Sequence, residues 1–201
     1  MDISSHSPKT TGHDLIRMLN RALEESPPSP ALLAEVKDGA DKLLQADRAA
    51  GYMILGILAS LSGEVSLMEA HFASAMSFGR DEKVLHNYTV CLLHNQMYGK
   101  ALQAGLDFYD KYQSPESVFL LAEAYDLLGL KRQSAHYMTI LQEKMPQRLP
   151  GEAEAGFATY KDLLGEGYVR ADLSSIRTKV MDGVTRDLEK HAELWQLLAN
   201  R

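Results

Sequence analysis

The stretch from Ser114 to Pro146, SPESVFLLAEAYDLLGLKRQSAHYMTILQEKMP, reads as two helices with their own punctuation. Ser114 can cap the free amides of a first helix, and Pro115 suits the first helical position. Gly129 interrupts the apolar spacing, and Pro146 stops the second helix. The same register recurs upstream. Leu55, Tyr88 and Leu121 stand 33 residues apart. So do Ala59, Leu92 and Tyr125, then Phe72, Gly105 and Met138, then Ala75, Phe108 and Leu141. A fixed period of roughly 20–50 residues marks a stacked array, in which each unit buries its apolar face only against its neighbours.

Working outward, the spacing predicts helices over Arg48–Leu61 and Val65–Phe78, then Glu82–Gln96 and Tyr98–Tyr112, then Glu116–Leu128 and Lys131–Glu143. Ser62-Gly63 breaks the first pair. Gly79 reads as a left-handed glycine closing a helix, and Asp81 as the cap of the next. Before the repeats, Leu15, Ile16, Leu19, Ala22 and Leu23 predict a helix over Gly12–Glu25. The prolines of Ser26–Pro30 end it, and Pro30 opens another running to about Ala46. After Pro150 the register fades. Glu152–Leu164 reads as a helix, and Asp172–Asn200 carries apolar residues three or four apart, from Leu173 through Val180 and Leu188 to Trp195 and Leu198. No strand alternation occurs, so the fold class is all-α. Residues 1–11 read as a disordered polar terminus, 12–46 as an N-terminal helix pair, 47–147 as three repeats and 148–201 as C-terminal capping helices. Self-association through the last helix, giving a homodimer, is the alternative to capping.

The columns resemble the tetratricopeptide repeat. Leu121-Ala122, Tyr125, Gly129, Ser134, Met138, Leu141 and Pro146 follow its motif most closely. Leu55-Gly56, Ala59, Gly63, Phe72 and Ala75 form the first repeat, with Met68 at the usual small position. Tyr88-Thr89, Leu92, Tyr98 and Ala101 form the second, with Gln96 in place of the turn glycine and Gly105 at the large position. The resemblance implies a TPR-like α-solenoid, a right-handed superhelix of antiparallel helix pairs. Within it, Gly56, Thr89 and Ala122 allow close approach of the paired helix, and Leu55, Tyr88 and Leu121 fill the gap to the neighbouring unit.

The resemblance further implies a groove lined by the first helix of each pair. By register the lining is Met53, Ile57 and Ser60; then Lys83, His86, Asn87, Val90 and His94; then Glu116, Phe119, Leu120, Glu123 and Asp126. Its apolar members can equally serve as core against flanking helices. One subset of the family grips a peptide carboxylate with Lys, Asn and Arg at set positions. Only Asn87 matches. Met53, Ile57, Glu116 and Leu120 occupy the others, and a carboxylate facing Glu116 would be repelled. The implied partner is another protein, bound through a peptide or helical segment with hydrophobic anchors.

Bulk properties agree with a protein-binding module. The net charge of -6 opposes a nucleic-acid or anionic membrane surface. No apolar run reaches the roughly 18–20 residues of a bilayer span. The N-terminus lacks the apolar core of a signal peptide, and the single cysteine permits no internal disulfide, so the expected location is cytoplasmic. Nine methionines fit either core gaps or an adaptable surface. Chemistry is not expected. His86 and His94 share a helix face but lie eight residues apart, too far for a metal pair without Glu123 or Asp126. Cys91 reads as a buried, inert thiol. No phosphate loop or nucleophile motif occurs. The expected function is therefore non-enzymatic, an adaptor or small chaperone without cofactor or metal. In size, charge and repeat count the chain also resembles the chaperones of bacterial type III secretion translocators.

Overall fold

The computed structural model describes residues 11–24 and 28–144. The helices expected over 152–164 and 172–200, and the polar terminus over 1–10, lie outside the described residues. Eight helices and no strand occur among those described. They are α1 (Gly12–Glu24), α2 (Pro30–Leu43), α3 (Arg48–Leu61), α4 (Val65–Phe78), α5 (Glu82–His94), α6 (Tyr98–Tyr112), α7 (Pro115–Leu127) and α8 (Lys131–Lys144). Consecutive helices pack on one another, and α1, α3, α5 and α7 also pack each on the next.

Local chemistry sets most of the ends. Asp47 accepts a hydrogen bond from the Ala50 amide at 3.0 Å, and Asp81 from the Val84 amide at 2.8 Å. Ser114 caps α7 as expected, with Pro115 in the first turn. Thr11, expected within a polar tail, instead starts α1. Its hydroxyl accepts from the Asp14 amide at 3.2 Å, and the Asp14 carboxylate accepts from the Thr11 amide at 3.0 Å, a reciprocal capping box. These bonds from Thr11 hold the Asp14 carboxyl below its usual value.

Three departures from expectation have simple causes. Gly79 is extended, with φ -176, so it is not a left-handed cap. Helix α2 stops at Leu43 because a turn over residues 44–46 brings the amide of Asp47 back to the Leu43 carbonyl at 2.7 Å. Helix α5 stops at His94 because Gln96 turns left-handed at φ 61. The equivalent positions Gly63 and Gly129 have φ 74 and 75. The 33-residue register thus extends to the backbone of the turns, with glutamine adopting a conformation that glycine reaches without steric cost.

The register also appears in the packing. The Phe72 ring of α4 lies 5.1 Å from the Tyr88 ring of α5. One period later, Gly105 of α6 lies against Leu121 of α7. In both cases a second helix meets the first helix of the next pair, sixteen residues on. Gly56 faces the Phe72 ring so closely that an added Cβ would stand 2.8 Å from two ring carbons. Missing side chains thus let α3 and α4 approach. Leu15 presses on Gly39 of α2 in the same way. The core is one continuous cluster running from Leu15 and Ile16 through Ile54, Phe72, Leu92 and Phe108 to Leu141. The α4–α5 turn is tied down by α6. Tyr112 and Lys111 both donate to the Arg80 carbonyl, and the Arg80 guanidinium pairs with Asp107 at 3.4 Å.

Candidate binding surface

The first helices of the three pairs are buried in an unusual way. In α7 every residue from Ser117 to Ala124 is buried. In α5 the buried residues are 84–87 and 89–93, and in α3 residues 53–57 form an unbroken run. At 3.6 residues per turn such runs point in every direction around the helix. The second helices differ. Helix α4 buries Met68, Phe72 and Ala75, and α6 buries Ala101, Ala104, Gly105 and Phe108, each a single stripe.

This bears on the residues expected to line a groove. Met53, Ile57, His86, Asn87, Val90, Phe119, Leu120 and Glu123 are at most 5% exposed. Lys83 and His94, near the two ends of α5, are exposed. The side chains of the buried eight are therefore not open to a partner as they stand.

Their contacts are specific. His86 meets the Phe108 ring of α6 edge-on, with centroids 6.2 Å apart, so it faces its own paired helix. Burial pushes its imidazole down to about 3, which keeps it neutral. Asn87, the one match to a carboxylate clamp, donates to the Lys83 carbonyl at 2.9 Å and to Met53 Sδ at 3.4 Å. It joins α5 to α3. Ser60, at the far end of α3, accepts from the side-chain amide of Asn95 at 2.7 Å. Cys91 is buried, and burial raises its thiol to about 12, opposed by a hydrogen bond with Ser60. A thiol held so high is a poor nucleophile. Among the described residues no three His, Cys, Asp or Glu side chains gather as a metal site would require. No described helix is long and apolar enough to cross a membrane.

The open part of this region is a cleft of about 270 Å³ where the N-terminal ends of α1, α3 and α5 meet. Thr11, His13, Asp47, Asp81 and Lys83 form its polar rim, and Ile16, Ala50, Met53 and Val84 its apolar part. Met53 and Lys83 were expected at a binding surface; the others were not. The missed signal was Asp47 and Asp81, 34 residues apart and each directly preceding a repeat. Helix caps in successive repeats come to the same edge. A second cleft, of about 330 Å³, lies between α4 and α6 beside Tyr88. The pairs Glu69–Lys100 and Arg80–Asp107 border it, so its charges are already matched.

No protein-family model, curated protein or solved structure matches the chain.

Proposed function

We propose that this chain is a TPR-like helical array that binds a segment of another protein, as an adaptor or small chaperone and not as an enzyme. The observation that carries the reading is repetition at every level. The same register fixes the left-handed turns at 63, 96 and 129 and the equivalent contacts Phe72–Tyr88 and Gly105–Leu121. Stacked units of this kind present long surfaces, which suit extended or helical ligands. Buried, neutral His86 and protonated Cys91 fit packing roles.

The entry point in this reading is the cleft at the starts of α1, α3 and α5. Its apolar floor accepts one hydrophobic anchor, and the Asp47 and Asp81 carboxylates favour a basic residue beside it. Substituting Val90 or Phe119 would unfold the array, because both are core. Asp47 and Asp81, exposed on the rim of the cleft, serve better. The test is affinity capture with the tagged full chain, with captured proteins identified by mass spectrometry. Asp47→Asn combined with Asp81→Asn keeps a capping side chain at both helix starts and removes the two carboxylates, so it should reduce capture of a specific partner at least several-fold with little change in melting temperature. Capture insensitive to both substitutions would remove this surface from the reading.

A further inference from the structure

We propose that the junction between the pairs α3–α4 and α5–α6 is a hinge, pivoting at Gly79 and strapped across the α4–α6 cleft by the ion pair of Glu69 with Lys100. Equivalent junctions in the array are built differently. Where α6 meets α7, Gly105 brings the two backbones together, and an added Cβ would stand 3.7 Å from Leu121 Cα. Where α4 meets α5, the same register sets Phe72 against Tyr88, with ring centroids 5.1 Å apart. Two aromatic rings fill the space that α6 and α7 close. Among the described helices α4 packs far more sparsely on α5 than α6 does on α7 or α2 on α3. The cleft of about 330 Å³ between α4 and α6 opens beside these rings, with Leu85 and Tyr88 of α5 in its lining.

Polar contacts tie the two units here. Asn87 and Asn95 of the second unit donate to Met53 Sδ and to the Ser60 hydroxyl of the first. One period on, Leu120 stands in place of Asn87, and Leu93 and Leu128 in place of Ser60 and Asn95. Across the cleft Glu69 of α4 pairs with Lys100 of α6, and both side chains reach solvent. Exposed pairs of this kind are weak and screened by salt. The backbone crosses between the units at Gly79. On one side Phe78 ends α4, its ring stacked on Tyr52 of α3 with the Arg48 guanidinium above it. On the other side Arg80 is fixed to α6, through Asp107 to its guanidinium and through Lys111 and Tyr112 to its carbonyl. Gly79 stands extended between these two anchors, and nothing lies within 4 Å of where its Cβ would be. Such a residue absorbs backbone rotation without steric cost. Both clefts described above draw on the two units: Asp47 and Met53 with Asp81 and Lys83 in one, Glu69 and Met76 with Tyr88 and Lys100 in the other. Rotation at the junction changes both, so a ligand held in either favours one setting of the hinge. For a bound protein segment this consequence rests on the proposed function. The hinge itself does not.

Distances between spin labels in the full chain test the hinge without any partner. Ser66, Gly99 and Arg132 are exposed, lie one period apart, and occupy the first turns of α4, α6 and α8. Ser66→Cys, Gly99→Cys and Arg132→Cys, combined in pairs, place the labels, while Cys91 is buried. Double electron–electron resonance should give a distance distribution for positions 66 and 99 at least twice as wide as that for 99 and 132. Lys100→Gln should widen the first distribution further. Gly79→Val, which the extended backbone accommodates, should narrow it. Neither substitution should move the second distribution. The comparison of the two label pairs in the otherwise unsubstituted chain stands without either variant. Equal widths, a first distribution indifferent to Lys100→Gln, or one that Gly79→Val leaves as wide would each overturn the proposal.

Discussion

Gly56 and Gly105 occupy interior turns of α3 and α6, yet they answer differently to an added methyl group. At Gly56 the new Cβ would meet two carbons of the fully buried Phe72 ring at 2.8 Å. The ring is wedged against Tyr88 and has nowhere to go. Overpacking of this kind costs about 1–3 kcal/mol, more than the roughly 1 kcal/mol of helix propensity gained. At Gly105 the nearest atom is Leu121 Cδ1 at 3.5 Å, ordinary contact. Gly105→Ala should therefore stabilise by about 0.5–1 kcal/mol, and Gly56→Ala should destabilise. Urea melts of both variants check the pair, and equal signs would contradict the packing described. His86 makes a second prediction at this scale. Unfolded, the imidazole protonates near 6.5; folded, burial holds it down to about 3. Between those values the unfolded chain binds more protons, so stability falls as pH falls. The slope from this group is about 1.4 kcal/mol per pH unit. His86→Gln should flatten the stability profile between pH 6 and 4.5 relative to wild type, measured by denaturant midpoints. The direction His86 takes was not legible in the sequence. Periodicity sorts residues onto faces, but His86 stands at the edge between two faces, and only the Phe108 contact shows that it turns to α6.

At the scale of the element, the ends were more legible than the faces. Pro30, Ser114-Pro115, Asp81 and the glycines at 63 and 129 act through local geometry, which a sequence displays directly. Gly79 misled because a glycine after a helix need not be left-handed. Asp47 and Thr11 cap as Asp81 does, but neither follows a proline or a glycine break that draws attention to it. The turn column offers a sharper prediction. Gln96 holds φ 61 where its counterparts are glycine. Gln96→Gly should stabilise by up to about 1 kcal/mol, since a left-handed residue with a side chain costs roughly 1–2 kcal/mol and glycine returns part of that as unfolded-state entropy. Gly129→Gln should cost a similar amount. Thermal melts of the two reciprocal variants decide it.

At the scale of the described molecule, the 33-residue register was legible and the burial of the helix faces was not. The columns beginning at Leu55, Phe72 and Ala75 announce stacking, because each packing site recurs in one dimension. Whether Met53, Val90 or Phe119 faces solvent depends on what else packs against them, and periodicity carries no information about that. The structure answers with burial. The contacts also have a kinetic consequence. Every described helix makes its main contacts with helices one or two places away along the chain. Little loop entropy has to be lost before contacts form, so folding should be fast, on the microsecond to millisecond scale of helical domains. Stopped-flow refolding checks this; a main phase slower than about a second would not fit.

The same chain of neighbour contacts has an evolutionary reading. A unit that touches only the units beside it can be duplicated or drift with small effect on distant ones, provided its turn and its two contact surfaces are kept. Gln96 in a column of glycines, and Gly105 in the column of Phe72 and Met138, are where the second unit departs from the shared pattern. The second unit keeps the left-handed turn and the helix contacts of its neighbours with different residues at those two positions.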